Sequence, residues 1–186
     1  MEYIYKYKLY ERIFEKVAKY EGKNKANKNG LLFEKKTSLK KALEENDFFV
    51  NKSGDIYKGD EFIGKSIGQT KMYRFLSSKG VNYKKINSKQ YRPDEALLND
   101  RNKTVYIIEK KFQSTSGSVD EKLQTCEFKK MVFQRLFEKI GYKVEYIYVL
   151  SDWFKQPSYN DVLEFIKDKG CDYYYNEIPL NRLNIE

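Results

Sequence analysis

Asp94, Glu109 and Lys111 are the side chains of this 186-residue chain whose types and spacing best suit chemistry. They stand in "RPDEALLNDRNKTVYIIEKKFQ" (92–113), a stretch that otherwise reads as core strand. A buried strand normally excludes charge, yet this one ends in it. Two carboxylates brought close together repel each other unless a cation lies between them. Oxygen ligands without imidazole suit Mg2+, which takes few protein groups and keeps several waters. A metal so held can polarise a phosphodiester and acidify a bound water. A lysine beside it can position that water and offset charge growing on phosphorus. The plainer reading of a bare Glu-x-Lys is a salt bridge on an edge strand. That reading weakens here, because Pro93–Asp94 precedes at hairpin distance and the strand is otherwise apolar.

The elements around these residues must bring them together. The polar "NDRNK" (99–103) supplies a turn, and "TVYIIEKKF" (104–112) is β-branched and aromatic, a strand signal. A hairpin folding near Arg101 pairs residues whose numbers sum to about 202 or 203, which sets Asp94 opposite Ile108 or Glu109. The two-residue period puts Glu109 and Lys111 on one face. Upstream, residues 2–21 read as a charged helix stopped by Gly22 and the loop "GKNKANKNG". Residues 31–46 read as a helix with Leu32, Leu39 and Leu43 on one stripe. A short strand is expected at 47–50, a hairpin over 55–64 turning at Gly59–Asp60, and a helix over 66–80. Downstream, 118–141 reads as one long helix with a Ser118/Glu121 capping box and a Gly141 stop. A strand (143–152), a helix capped by Ser158 (158–170) and a last strand (171–178) follow. Strand, helix and strand with short links imply parallel crossovers on one sheet. The chain shows no internal repeat and no boundary between two domains.

Composition narrows the function. The net charge is +9, with an isoelectric point near 9.2, which favours a polyanionic partner, nucleic acid before a membrane surface. Histidine is absent. That excludes Ser-His-Asp and Cys-His nucleophiles, HExxH zinc sites and histidine-based nucleases. Cys126 and Cys171 lack metal-ligand spacing and read as free thiols of a reducing cytosol. The start has no apolar leader core, and no run of about 18 apolar residues occurs. A cytoplasmic protein without a membrane anchor is expected.

Much of the excess charge lies between Phe62 and Pro93, which holds eight basic residues and no acidic one. Lys65, Lys71, Arg74, Lys84, Lys85, Lys89 and Arg92 are the candidate DNA contacts, with Lys79 among them in sequence. Tyr73, Phe75, Tyr83 and Tyr91 are interleaved, as on a basic, aromatic surface that binds a phosphate backbone. "GDEFIGKS" (59–66) matches the phosphate-loop pattern GxxxxGK[ST], but no apolar strand precedes it, and Asp60 and Glu61 would put negative charge in the cradle. A hairpin turn explains it better.

Pro93–Asp94, fourteen intervening residues and Glu109–Lys110–Lys111 resemble the PD-(D/E)XK nuclease signature. The resemblance covers roughly residues 30–150. It implies an α/β restriction-endonuclease-like core of helix, three strands, helix and strand, with a mixed central sheet flanked by helices. One nuclease domain over 1–186 is expected: an N-terminal helix and loop (1–29), a catalytic core (30–150) with a basic insert (52–92), and a C-terminal helix and strand (151–186). Carried over, the resemblance implies Mg2+ on Asp94, Glu109 and the Lys110 carbonyl, with Lys111 at the attacking water. "GLLFE" (30–34) resembles the segment that brings an additional glutamate from the first core helix, here Glu34. Gln124 matches a polar position near the site. Within the superfamily the chain looks most like the small subunit of a heterodimeric Type IIS restriction endonuclease. That likeness implies a bacterial cytoplasmic enzyme that cuts one strand of double-stranded DNA when a large partner subunit holds it there. Other readings are a homodimeric restriction enzyme, a junction resolvase, or a DNA-binding module without catalysis.

Overall fold

The run Thr104–Lys111 becomes an interior strand, fifth of seven in the sheet, because residues 105–108 are apolar on both faces. The computed structural model describes residues 28–115 and 119–185. The expected helix at 2–21 and the Ser118 cap lie outside them.

In chain order the strands are β1 (Phe48–Val50), β2 (Asp55–Lys58), β3 (Glu61–Ser66), β4 (Glu95–Asn99), β5 (Thr104–Lys111), β6 (Lys143–Leu150) and β7 (Asp172–Tyr175). Their order in the sheet is the order in the chain. Neighbours are antiparallel from β1 to β5 and parallel from β5 to β7. The helices are α1 (28–36), α2 (Leu39–Glu44), α3 (Thr70–Ser78), α4 (Val119–Leu123), α5 (Cys126–Phe137) and α6 (Asn160–Asp168). Val105 and Ile107 pack on one face with residues of α3, α5 and α6. Tyr106 and Ile108 pack on the other with Phe33, Leu39 and Leu43 of α1 and α2. This is the expected mixed α/β sheet flanked by helices, with parallel crossovers after β5.

Several elements differ from the sequence reading. Residues 28–30, expected in a loop, are already helical. The helix expected over 31–46 breaks at Thr37–Ser38. Thr37 donates its hydroxyl to the Phe33 carbonyl (2.8 Å), and the Glu95 carboxylate accepts from the Leu39 N–H at the start of α2 (2.7 Å). Leu32, expected on the buried stripe, is 56% exposed. The helix expected from 66 starts only at Thr70. Residues 66–69 instead continue along β4, with Ile67 N donating to Ala96 O and Gln69 N to Pro93 O. Gly68 allows that approach, since a Cβ there would lie 2.9 Å from Glu95 Cα. The helix expected over 118–141 is interrupted at Gln124–Thr125, where Tyr148 donates its hydroxyl to the carbonyls of Lys122 and Leu123. Ser158 lies in a 3-10 turn before α6 and does not cap it.

The β2–β3 hairpin turns at Gly59, as expected, and Gly59 takes a left-handed φ of 59°. The segment "GDEFIGKS" is therefore strand and turn, not a phosphate loop. At the other end of the hairpin the Asp55 carboxylate accepts from Lys65, Ser53 and Asn51. These partners, Lys65 foremost, pull its pKa down from 3.8 to about 2. A carboxylate with a depressed folded pKa stabilises the fold above its unfolded value and loses that contribution as pH falls through the folded value. Thermal unfolding of the wild type should therefore weaken between pH 4 and 2, and Lys65→Met should flatten that segment of the profile. Equal slopes for the two proteins would contradict this.

Candidate active site

Pro93 has no N–H to give a strand ladder, and β4 proper begins at Glu95. Asp94 thus sits one step outside the ladder, and its side chain takes the place of a main-chain partner. Asp94 Oδ2 accepts from the Lys110 N–H at 2.8 Å. Across β4 and β5, Glu95 faces Ile108 and Asn99 faces Thr104, so paired numbers sum to 203. This is one of the two registers predicted, and it carries Asp94 opposite Glu109.

Glu109 and Lys111 share the face covered by α5. Glu109 is 5% exposed. Its Oε2 receives Lys111 Nζ at 2.9 Å and Lys129 Nζ at 3.3 Å. Lys111 Nζ also donates to the Lys110 carbonyl at 3.1 Å, and it lies 5.9 Å from the Tyr148 ring centre. One ammonium therefore bridges a carboxylate oxygen and a carbonyl oxygen. Beneath them, burial first and the Glu109 charge second hold the Tyr146 phenol well above its ordinary pKa.

The Lys110 side chain points to the opposite face. Its Nζ pairs with Glu95 Oε1 at 3.0 Å and donates to the Glu34 carbonyl at 3.2 Å. Glu95 also holds the start of α2, and burial raises its pKa against the pull of Lys110. This pair ties the motif strand to α1 and α2, and leaves the Lys110 main chain free to serve the site.

The other expected site residues are placed less closely. Glu34 has an exposed side chain on α1, and Phe33 of that helix packs on Phe112 with ring centres 5.6 Å apart. Among the described residues no contact joins the Glu34 carboxylate to Asp94 or Glu109; the helix meets the motif through its main chain. Gln124 is exposed in the turn before α5, and with Tyr159, Asp161 and Phe165 lines a cavity of about 430 Å³.

Lys71 and Arg74 are exposed on α3. With Lys52 and Lys65 they line a basic cavity of about 570 Å³. Lys65 is partly neutralised there by Asp55. Lys84 and Lys85 lie exposed on a 3-10 turn. Arg74 and Lys84 also line a groove of about 1000 Å³ with Tyr73, Tyr83, Asn82 and Gln90. Lys89 stacks over Tyr91 at 5.0 Å, and Arg92 donates to Gln90. The interleaved aromatics are scaffold more than surface. Tyr73 is buried and donates to Tyr91 O (2.8 Å), and burial pushes its phenol up to about 12. Phe75, Tyr83 and Tyr91 pack against the same core.

Lys129 is the residue of this candidate site that the sequence reading missed. It follows buried Cys126 by three positions and precedes buried Phe133 by four, so it shares their helical stripe. A parallel crossover lays that stripe over β5. The signal was a basic residue on the inward face of the helix after the motif.

A family model for the PD-(D/E)XK nuclease superfamily domain matches residues 25–131. The match covers more than half of the chain, and the chain belongs to this superfamily. No curated protein and no solved structure matches it. The mixed sheet with flanking helices is consistent with the restriction-endonuclease-like fold of such nucleases, and its members typically use divalent metals. Among the described residues no cluster of three or more carboxylates and thiols forms. Those present still fit a cation: two carboxylates and a carbonyl meet at one end of β5, and a carboxylate oxygen and the carbonyl already share an ammonium. No helix among the described residues is long and apolar enough to cross a membrane.

Proposed function

We propose that the chain is a Mg2+-dependent endonuclease that hydrolyses a phosphodiester bond of double-stranded DNA by water attack, in a single nuclease domain. The observation that carries this reading is the Lys111 ammonium held between Glu109 Oε2 and the Lys110 carbonyl, with Asp94 fixed on the Lys110 N–H. Asp94, Glu109 and the Lys110 carbonyl would hold Mg2+, which supplies polarisation of the phosphodiester and a more acidic water. Lys111 orients the attacking water and offsets charge on the phosphate oxygens. Lys129 keeps a cation on Glu109 while Lys111 serves the substrate. Lys71, Arg74, Lys84 and Lys85 grip the flanking phosphates.

The finer reading is the small subunit of a heterodimeric Type IIS restriction endonuclease. One such site breaks one bond per visit, and the described residues build one sheet without a second folded unit. On this reading a large partner selects the sequence, and this chain cuts one strand. Mapping both strands of a cleaved duplex, with and without the candidate partner, tests it. The expected product with partner is a cut on a second strand that Lys111→Ala removes. Cutting of both strands by this chain alone would point to a homodimer.

The basic surface has its own test. Lys71→Glu with Arg74→Glu should lower the slope of log affinity against log salt by about 2, roughly 0.9 for each lost phosphate contact. An unchanged slope would place the DNA elsewhere.

A further inference from the structure

Glu109 and Lys111 are the polar members of a row on β5 that continues to Gln113. Phe112 packs against Phe33 on the α1 face, so the alternation that separates Lys110 from Lys111 continues beyond the end of β5. Gln113 is therefore next on the face of Glu109 and Lys111, about 7 Å along from Lys111. Its main chain is fixed: the Ser151 hydroxyl accepts from Gln113 N and donates to Gln113 O, both at 3.2 Å. Gln113 is 7% exposed, and neither Oε1 nor Nε2 has a hydrogen-bond partner among the described residues.

A buried carboxamide with all its hydrogen bonds unmade is costly, and Met or Leu would fill the same space without that cost. The group needs a ligand that both donates and accepts. A phosphodiester offers acceptors alone. A base edge offers both but is too large for a site this enclosed. Water offers both and is the smallest such ligand. We infer that Gln113 is a further residue of the hydrolytic site, whose carboxamide holds and orients a water on the path of attack beside Lys111. The inference rests on the hydrolytic reading above.

The test compares wild type, Gln113→Met and Gln113→Glu, under whichever partner condition supports cleavage by the wild type. Three quantities are read: the thermal midpoint, DNA affinity with Ca2+ in place of Mg2+, and the single-turnover cleavage rate. Gln113→Met should unfold at the same or a higher temperature and bind DNA within about twofold of wild type, yet cleave about 10²-fold more slowly. Gln113→Glu keeps the length and one acceptor, and should fall between the two in rate. A wild-type rate in Gln113→Met at undiminished stability would overturn the inference, because the amide would then be inert filling. A lowered midpoint in Gln113→Met would also overturn it, by showing that the amide has structural partners. Absence of cleavage by wild type in every condition would defeat the functional reading and this inference together, whereas the first two outcomes leave that reading standing.

Discussion

Lys111→Ala and Asp94→Asn should each lower single-turnover DNA cleavage by about 10³-fold, while affinity for DNA at fixed salt changes little. The two substitutions remove different things. Lys111 supplies the ammonium shared by Glu109 Oε2 and the Lys110 carbonyl. Without it, Lys129 of α5 is the ammonium among the described residues that still pairs with Glu109. Asp94→Asn preserves shape and can still accept from the Lys110 N–H, so the hairpin keeps its register. It deletes the negative charge that a divalent cation needs. The phosphate contacts proposed on α3 and the Tyr83–Lys85 turn lie outside the change, so salt-dependent binding should survive. Cleavage at the wild-type rate in both variants would remove these residues from the mechanism.

Glu109→Ala should abolish cleavage and also cost about 3 kcal/mol of unfolding free energy, because breaking a buried ion pair from one side leaves the remaining charge uncompensated. Here two charges remain, since Lys111 and Lys129 both lean on Glu109 Oε2. Their side chains are 14% and 26% exposed, so relaxation toward water relieves only part of the penalty. Lys129→Met removes a single, more exposed partner and should cost less than about 1 kcal/mol, near the value for a surface pair. Urea denaturation of the three proteins measures the difference. A Glu109→Ala variant as stable as wild type would mean that the carboxylate is not the counter-ion of these lysines.

The arrangement at the centre of the candidate site was legible because it is local. A polar turn at 99–103 and a β-branched strand fix a hairpin register, and the register alone faces Asp94 with Glu109. Alternation then separates Glu109 and Lys111 from Lys110. What escaped the sequence depends on contacts between distant segments. Glu95 caps α2 through the Leu39 N–H, and so splits a helix that periodicity drew as one. Tyr148 takes up the carbonyls before Gln124 and splits another. Residues 66–69 look helical by composition, but β4 offers them hydrogen bonds first. Lys129 reaches Glu109 only because a parallel crossover folds α5 onto β5. The aromatic residues between the lysines resemble a stacking surface in sequence, yet Tyr73 is drawn inward by the core beneath α3. Helix α1 touches the motif through the Glu34 carbonyl, which accepts from Lys110 Nζ, a contact that periodicity does not reveal.

The most direct measurement is conversion of supercoiled plasmid to nicked circles by wild type and Lys111→Ala, in Mg2+ and in EDTA, with the candidate large subunit present. Nicking by wild type in Mg2+ alone, lost in EDTA and lost in Lys111→Ala, is the predicted result. Nicking that persists in EDTA, or that Lys111→Ala performs as well as wild type, would contradict a metal-dependent site built on Asp94, Glu109 and Lys111.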